Sequence, residues 1–184
     1  MRRRGGLSLC HPCVASLLPK PPWPHNARPG CRLITIVPFL LATAGAAFAA
    51  SRFRPGAWYA ALAKPSWTPP NWLFAPVWSL LYLGIAIAGW LVWRKAHRDG
   101  VLPLALWVGQ LILNMTWSWL FFGLHRPRAA LADIVILLAL ILAFIVVVYP
   151  LSSVAAGLFV PYALWVLFAT ALNAAIVHLN PSAT

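Results

Sequence analysis

The chain has 184 residues, 62% of them hydrophobic and 9% charged, and its mean hydropathy is +0.81. That apolar share lies well above the roughly 45–50% of soluble domains, so a soluble globular protein is excluded and a multi-pass membrane protein is expected. The net charge of +12 does not point to a nucleic-acid partner, because Lys and Arg sit in short segments between apolar runs rather than along one solvated face.

In chain order, residues 1–32 come first as a Pro- and Arg-rich tail without acids or sustained periodicity, expected to be disordered or a targeting segment. All three cysteines lie here, at Cys10, Cys13 and Cys31. The CHPC spacing resembles half a metal site, but no second half follows, and no metal is expected. Residues 33–180 form the second region. It holds five runs that suit membrane spans of about 20 apolar residues: Leu33–Ala50, Ala75–Trp93, Pro103–Phe122, Ala129–Tyr149 and Val154–Leu179. Short spacers join the later runs, so antiparallel neighbours in one bundle are expected. The fold class is an all-α membrane protein, a bundle of five transmembrane helices with a Trp/Pro-rich lid loop between helices 1 and 2.

That loop departs from an ordinary spacer. Trp58 to Tyr82, "WYAALAKPSWTPPNWLFAPVWSLLY", contains four tryptophans, two tyrosines and four prolines in 25 residues. It is too long for a tight turn and too apolar for a solvated loop, and long connections of this kind are usually functional. Pro65 stops a short helical run, and Pro69-Pro70 forces extended geometry. Interfacial aromatics alone would form a belt at the membrane surface. The whole pattern, W-Y-x-x-L-x-K-P-x-W-x-P-P-x-W-x-F-x-x-x-W-x-x-L-Y, goes further and resembles the signature of the translocator protein family, also called tryptophan-rich sensory proteins or peripheral benzodiazepine receptors. Two more segments match in the family's order: L-N-x-x-W-x-x-x-F-F-G within Gln110 to Ile134, and P-Y-x-x-W-x-x-F-A-T-x-L-N within Pro161 to Asn180. The resemblance covers Leu33 to Asn180.

Helical spacing gives an independent test, because residues three or four apart share a face. Trp78 and Tyr82 are four apart on the second span. Gln110, Asn114, Trp117 and Phe121 form a stripe on the third, and Trp165, Ala169 and Asn173 one on the fifth. The three amides should point inward, since an unsatisfied amide in hydrocarbon is costly. Singly they suit interhelical hydrogen bonding; together with the tryptophans they suit a pocket. Such a face selects flat, apolar guests. The resemblance implies porphyrins, haem and sterols as guests, no required cofactor, and Tyr59, Pro69, Trp78, Tyr82, Asn114, Trp117, Trp165, Ala169 and Asn173 as ligand-binding residues. The spacer from Trp58 to Phe74 would be the lid.

Sterol binding is less supported, because the proposed cholesterol motif needs Leu or Val, Tyr, then Lys or Arg, and the fifth helix after Leu172 reads N-A-A-I-V-H. Acid–base or covalent catalysis lacks residues: there is no glutamate and no Ser-His-Asp set. An enzyme is not expected, apart from the light-dependent porphyrin degradation reported for some family members, which would fall to Trp78 and Trp165. Asp133, the one acid inside a span, is expected to snorkel or pair with Arg126 and Arg128. A small transporter or channel for hydrophobic molecules, sterols included, is the alternative. A homodimer is expected by resemblance, with Gly45 and Ala49 permitting close approach. Lys and Arg counts of nine against five favour an inside N-terminus, though only with the tail included. A bacterial cell membrane is expected rather than an organelle membrane.

Overall fold

The structure, a computed structural model, describes residues 34–95 and 101–181. The tail 1–32 with its three cysteines, and the start of the first run at Leu33, lie outside the described residues. Within them the chain is helical, without strands.

Helix α1 (Val37–Ser51) has 15 residues and carries a proline, Pro38, in its first turn. Proline lacks the N–H a helix interior needs, so it belongs in a first turn, and the chain before it bends at Thr35 and Ile36. At about 1.5 Å per residue α1 is roughly 22 Å long, shorter than the ~30 Å hydrocarbon core. It is a fifth, shorter apolar helix beside four of spanning length: Asn71–Lys95, Val101–Gly123, Pro127–Val148 and Ser153–Leu179. The protein is therefore a multi-pass membrane protein. Leu80, Val135, Val146 and Leu164 are exposed on these helices, as a lipid-facing surface requires.

The connection after α1 contains one short helix, α2 (Ala57–Ala61). Leu62 leaves helical geometry at ψ 140°, three residues before Pro65. Pro70 is extended at φ −65° and ψ 145°, and a 3-10 turn over Asn71–Leu73 then leads into α3 (Phe74–Lys95). Ala63 is tied to the far end of the chain, where Asn180 accepts from Ala63 N–H and donates to Ala63 C=O, both at 2.9 Å. Trp58 stacks on His125 at 4.3 Å between ring centroids.

Helix α4 (Val101–Ser118) widens into a π-helical turn over Trp119–Gly123. Leu124 N–H reaches back to Trp119 C=O, and His125 takes the left-handed conformation at φ 53°. Pro127 starts α5 (Pro127–Val148), a favoured first position. In α6 (Ser153–Leu179) the Ser152 hydroxyl accepts from Ala155 N–H, capping the first turn.

The helices close into a ring, α1 packing on α3, α3 on α6, α6 on α5, α5 on α4 and α4 back on α1. One half of the interior is solid. Phe144 and Phe159 stack at 3.9 Å, with Ile85, Val92 and Ile141 fully buried nearby. Trp107 fills the space over Gly89, its indole donating to Ile85 C=O at 2.8 Å.

The pairing expected for Asp133 is not what the fold produces. Ala130, Asp133, Ile134 and Leu137 share one face of α5 at i, i+3, i+4 and i+7, and that face is turned inward. Asp133 is 7% exposed and its Oδ2 has no hydrogen-bond partner among the described residues, while Arg126 and Arg128 lie on the exposed side.

Candidate ligand cavity

The other half of the ring is hollow. A cavity of about 820 Å³ opens where the C-terminal ends of α1, α4 and α6 meet the N-terminal ends of α3 and α5. That volume falls in the ~300–1,000 Å³ range of small-molecule sites. Its exposed lining residues, among them Ser51, Arg54, Asn71, Ala75 and Ser79, belong to the end of α1, the connection and the first half of α3, which places the mouth there. Its buried lining, including Asn114, Phe121, Ile134, Val166 and Asn173, comes from α4, its π-helical end, α5 and α6.

The walls are aromatic. On α3, Trp78 lies against Tyr82 at 5.4 Å and edge-on to Tyr162 at 6.3 Å. From α6, Trp165 meets Phe74 edge-on at 5.7 Å. Trp117 stacks on Phe121 at 5.3 Å, and Tyr59 stands edge-on to both Phe121 and Phe122. Rings at these separations and tilts gain about 0.5–1.5 kcal/mol beyond area burial, so the wall is stiff before any guest arrives. Lys64 sits 4.7 Å over the Tyr59 ring, and burial pushes the Tyr59 phenol above its usual value, keeping it neutral.

The cavity floor is polar, and a chain of hydrogen bonds runs through it. Tyr82 donates to Asn114 Oδ1 at 2.6 Å, Asn114 donates to Tyr162 at 3.2 Å, Tyr162 donates to Gln110 Oε1 at 3.0 Å, and Gln110 donates to Trp107 C=O at 2.9 Å. Gln110 and Asn114 are buried as their spacing demanded. Gln110 serves only this spine, whereas Asn114 also lines the cavity. Asn173, 1% exposed, donates to Pro127 C=O at 3.3 Å. Trp117 Nε1, Trp165 Nε1 and Asn173 Oδ1 are buried without a hydrogen-bond partner among the described residues, and all three residues line the cavity. Ring packing alone holds those two indoles.

Of the residues singled out in the sequence, the structure gathers Tyr59, Trp78, Tyr82, Asn114, Trp117, Trp165, Ala169 and Asn173 around this one space. Pro69 lies in the extended segment, outside the lining. Sequence reasoning did not select Phe53, Arg54 or the α5 residues Ile134 and Leu137, all of which line it. The α5 pair was detectable from its four-residue stripe with Ala130. Phe53 and Arg54 had no periodic signal.

A ring of apolar helices around a preformed, aromatic cavity near one end defines a multi-pass integral membrane protein with an internal cavity. The TspO/MBR family pattern matches residues 34–179, and the chain belongs to that family. It is 42% identical to the tryptophan-rich protein TspO of Archaeoglobus fulgidus, over 80% of this chain and 98% of that protein. It is 38% identical to the human translocator protein, over 83% and 88% of the two chains. With the tryptophan-rich sensory protein of Cereibacter sphaeroides it shares 35% identity over 77% and 89%.

Proposed function

We propose that this protein binds flat, largely apolar tetrapyrroles, porphyrin or haem, in the cavity, and that sensing, transport or light-dependent breakdown of the guest follows from that binding. The observation that carries the reading is the 820 Å³ space walled by Trp78, Trp117, Trp165 and Tyr82, with a single charged residue in its lining among the described residues. Stacking and area burial select a large planar ring, and a preformed site loses little ordering entropy on binding. Titrating the purified protein with protoporphyrin IX and following the Soret band tests it; no saturable spectral change refutes it. The alternative, a small transporter for hydrophobic molecules including sterols, predicts flux in proteoliposomes instead. Light-driven breakdown would use the indoles of Trp78 and Trp165. A homodimer in a bacterial cell membrane completes the proposal.

The spacer from Trp58 to Phe74 would act as the lid. Tyr59, Asn71 and Phe74 reach the cavity from it and its border with α3, its prolines limit the ordering cost, and Asn180 fastens it at Ala63. Asn180→Ala removes both fastening hydrogen bonds, worth roughly 1 kcal/mol together at an exposed site. Porphyrin association and dissociation should both accelerate, by about fivefold, with a smaller change in Kd. Unchanged stopped-flow rates would show that the segment does not gate the cavity. The tail lacks any pocket motif, so deleting Met1–Gly30 should leave porphyrin affinity unaltered; well-expressed protein that no longer binds would contradict this.

A further inference from the structure

Among the described residues the lining contains one charged side chain, Arg54, and no carboxylate. Its neighbour Arg52 serves as an internal comparison. Arg52 lies 5.9 Å from the Phe48 ring and does not line the cavity, as expected of a cation that only marks the membrane interface. Arg54 is placed differently because the backbone around it is anchored. Arg52 N–H and Phe53 N–H close the end of α1 on Ala49 and Ala50 C=O. The Phe53 ring then packs on Gly123 so closely that a Cβ there would come within 2.9 Å of it. With Phe53 wedged against the π-helical turn and Pro55 following, Arg54 is held at the mouth. Its Nε donates to Ser51 C=O at 3.4 Å, a long contact that uses neither of the two terminal amino groups of the guanidinium.

We propose that Arg54 is the specificity-determining residue that receives a carboxylate of the guest, so that the cavity prefers amphipathic ring systems with an acidic edge over neutral ones. This rests on the tetrapyrrole reading above and adds an orientation to it. The apolar ring occupies the Trp78–Trp117–Trp165 interior and the acidic edge remains at the hydrated mouth, beside Arg54 and Asn71. A guanidinium offers two parallel N–H donors that match a carboxylate. The deep end offers no cation among the described residues: Tyr82 and Asn114 already bond each other, and the donors left without a partner there, the indole N–H groups of Trp117 and Trp165, are neutral. A carboxylate buried there would lose hydration with no cation to compensate, so the reversed orientation is disfavoured.

The test compares protoporphyrin IX, which carries two carboxylates, with its dimethyl ester, which has the same ring and no charge. Both are titrated into the purified full chain and into Arg54→Gln, Arg54→Lys and Arg52→Gln. The unmodified protein should bind the acid more tightly than the ester. Arg54→Gln should weaken the acid about five- to tenfold at low salt, the scale of a charge-assisted contact at a partly exposed site, and leave the ester unchanged. Arg54→Lys should restore part of the loss, Arg52→Gln should cause none, and added salt should shrink the difference between acid and ester. Equal loss for both compounds in Arg54→Gln, no loss for either, or the same loss in Arg52→Gln would overturn the carboxylate site while leaving the cavity reading intact. Failure of both compounds to bind the unmodified protein would overturn both.

Discussion

Trp78→Ala and Trp165→Ala should each weaken porphyrin binding by about 1–3 kcal/mol, roughly 5- to 150-fold in Kd, while phenylalanine at either position keeps most of the affinity. Both rings are half-buried in the cavity wall, on different helices, and each touches a second aromatic wall residue, Tyr82 for Trp78 and Phe74 for Trp165. Alanine removes a large apolar face that a planar guest would cover. Phenylalanine preserves a face, and at Trp165 it also breaks no hydrogen bond, because the indole N–H has no partner among the described residues. If bound porphyrin is degraded under light, Trp→Phe should suppress that chemistry more than it suppresses binding. Trp93, 48% exposed and outside the cavity lining, is the control. Soret titration and light-dependent product formation on folded variants read both effects. Unchanged affinity in both alanine variants excludes this cavity as the porphyrin site, and loss in Trp93→Ala alone transfers the site to the other end of the bundle.

Gly89→Ala should destabilise the bundle by about 1–3 kcal/mol, lowering Tm by roughly 3–10 °C, although Ala is the better helix former. A Cβ at position 89 would stand 2.5 Å from two atoms of the Trp107 indole and 2.9 Å from Phe39. The indole cannot swing away without breaking its hydrogen bond to Ile85 C=O, and Phe39 packs edge-on against it at 5.3 Å. Gly157→Ala in α6 is the matched comparison, since a Cβ there meets nothing within 4 Å, and it should leave Tm unchanged or slightly raised. Thermal melts of the two variants in detergent decide the matter; equal Tm values would mean that α3 and α4 have room to separate at this point.

The helical faces were largely legible because they follow from spacing alone. Gln110, Asn114 and Trp117 read as one stripe, and all three are turned into the bundle. What spacing could not show is that the stripe divides its work, Gln110 going to the hydrogen-bonded spine and Trp117 to the cavity. Beyond Ser118 the 3.6-residue period itself gives way to the π-helical turn, so Phe122 reaches the wall beside Phe121 with no periodic reason to do so. Asp133 was misjudged by its sequence distance from Arg126 and Arg128; the start of α5 at Pro127 fixes the rotation that buries it. Arg54 was invisible for a different reason. Its position depends on Phe53 meeting Gly123, a contact between residues 70 apart that no local pattern encodes.

The spine from Tyr82 through Asn114 and Tyr162 to Gln110 has a consequence for traffic. It joins α3, α4 and α6 across the centre of the ring, and the core packed beyond it, around Ile85, Phe144 and Phe159, is solid. A buried polar network is costly to open piecemeal, because each broken link leaves a buried group unpaired. It works as a bulkhead. On the proposed binding role, a molecule admitted between α1 and α3 would meet a blind end and leave by the mouth it came through, so its residence time would be governed on one face of the membrane. Passage to the opposite face would require the three helices to part together, a concerted event rather than diffusion along a pore.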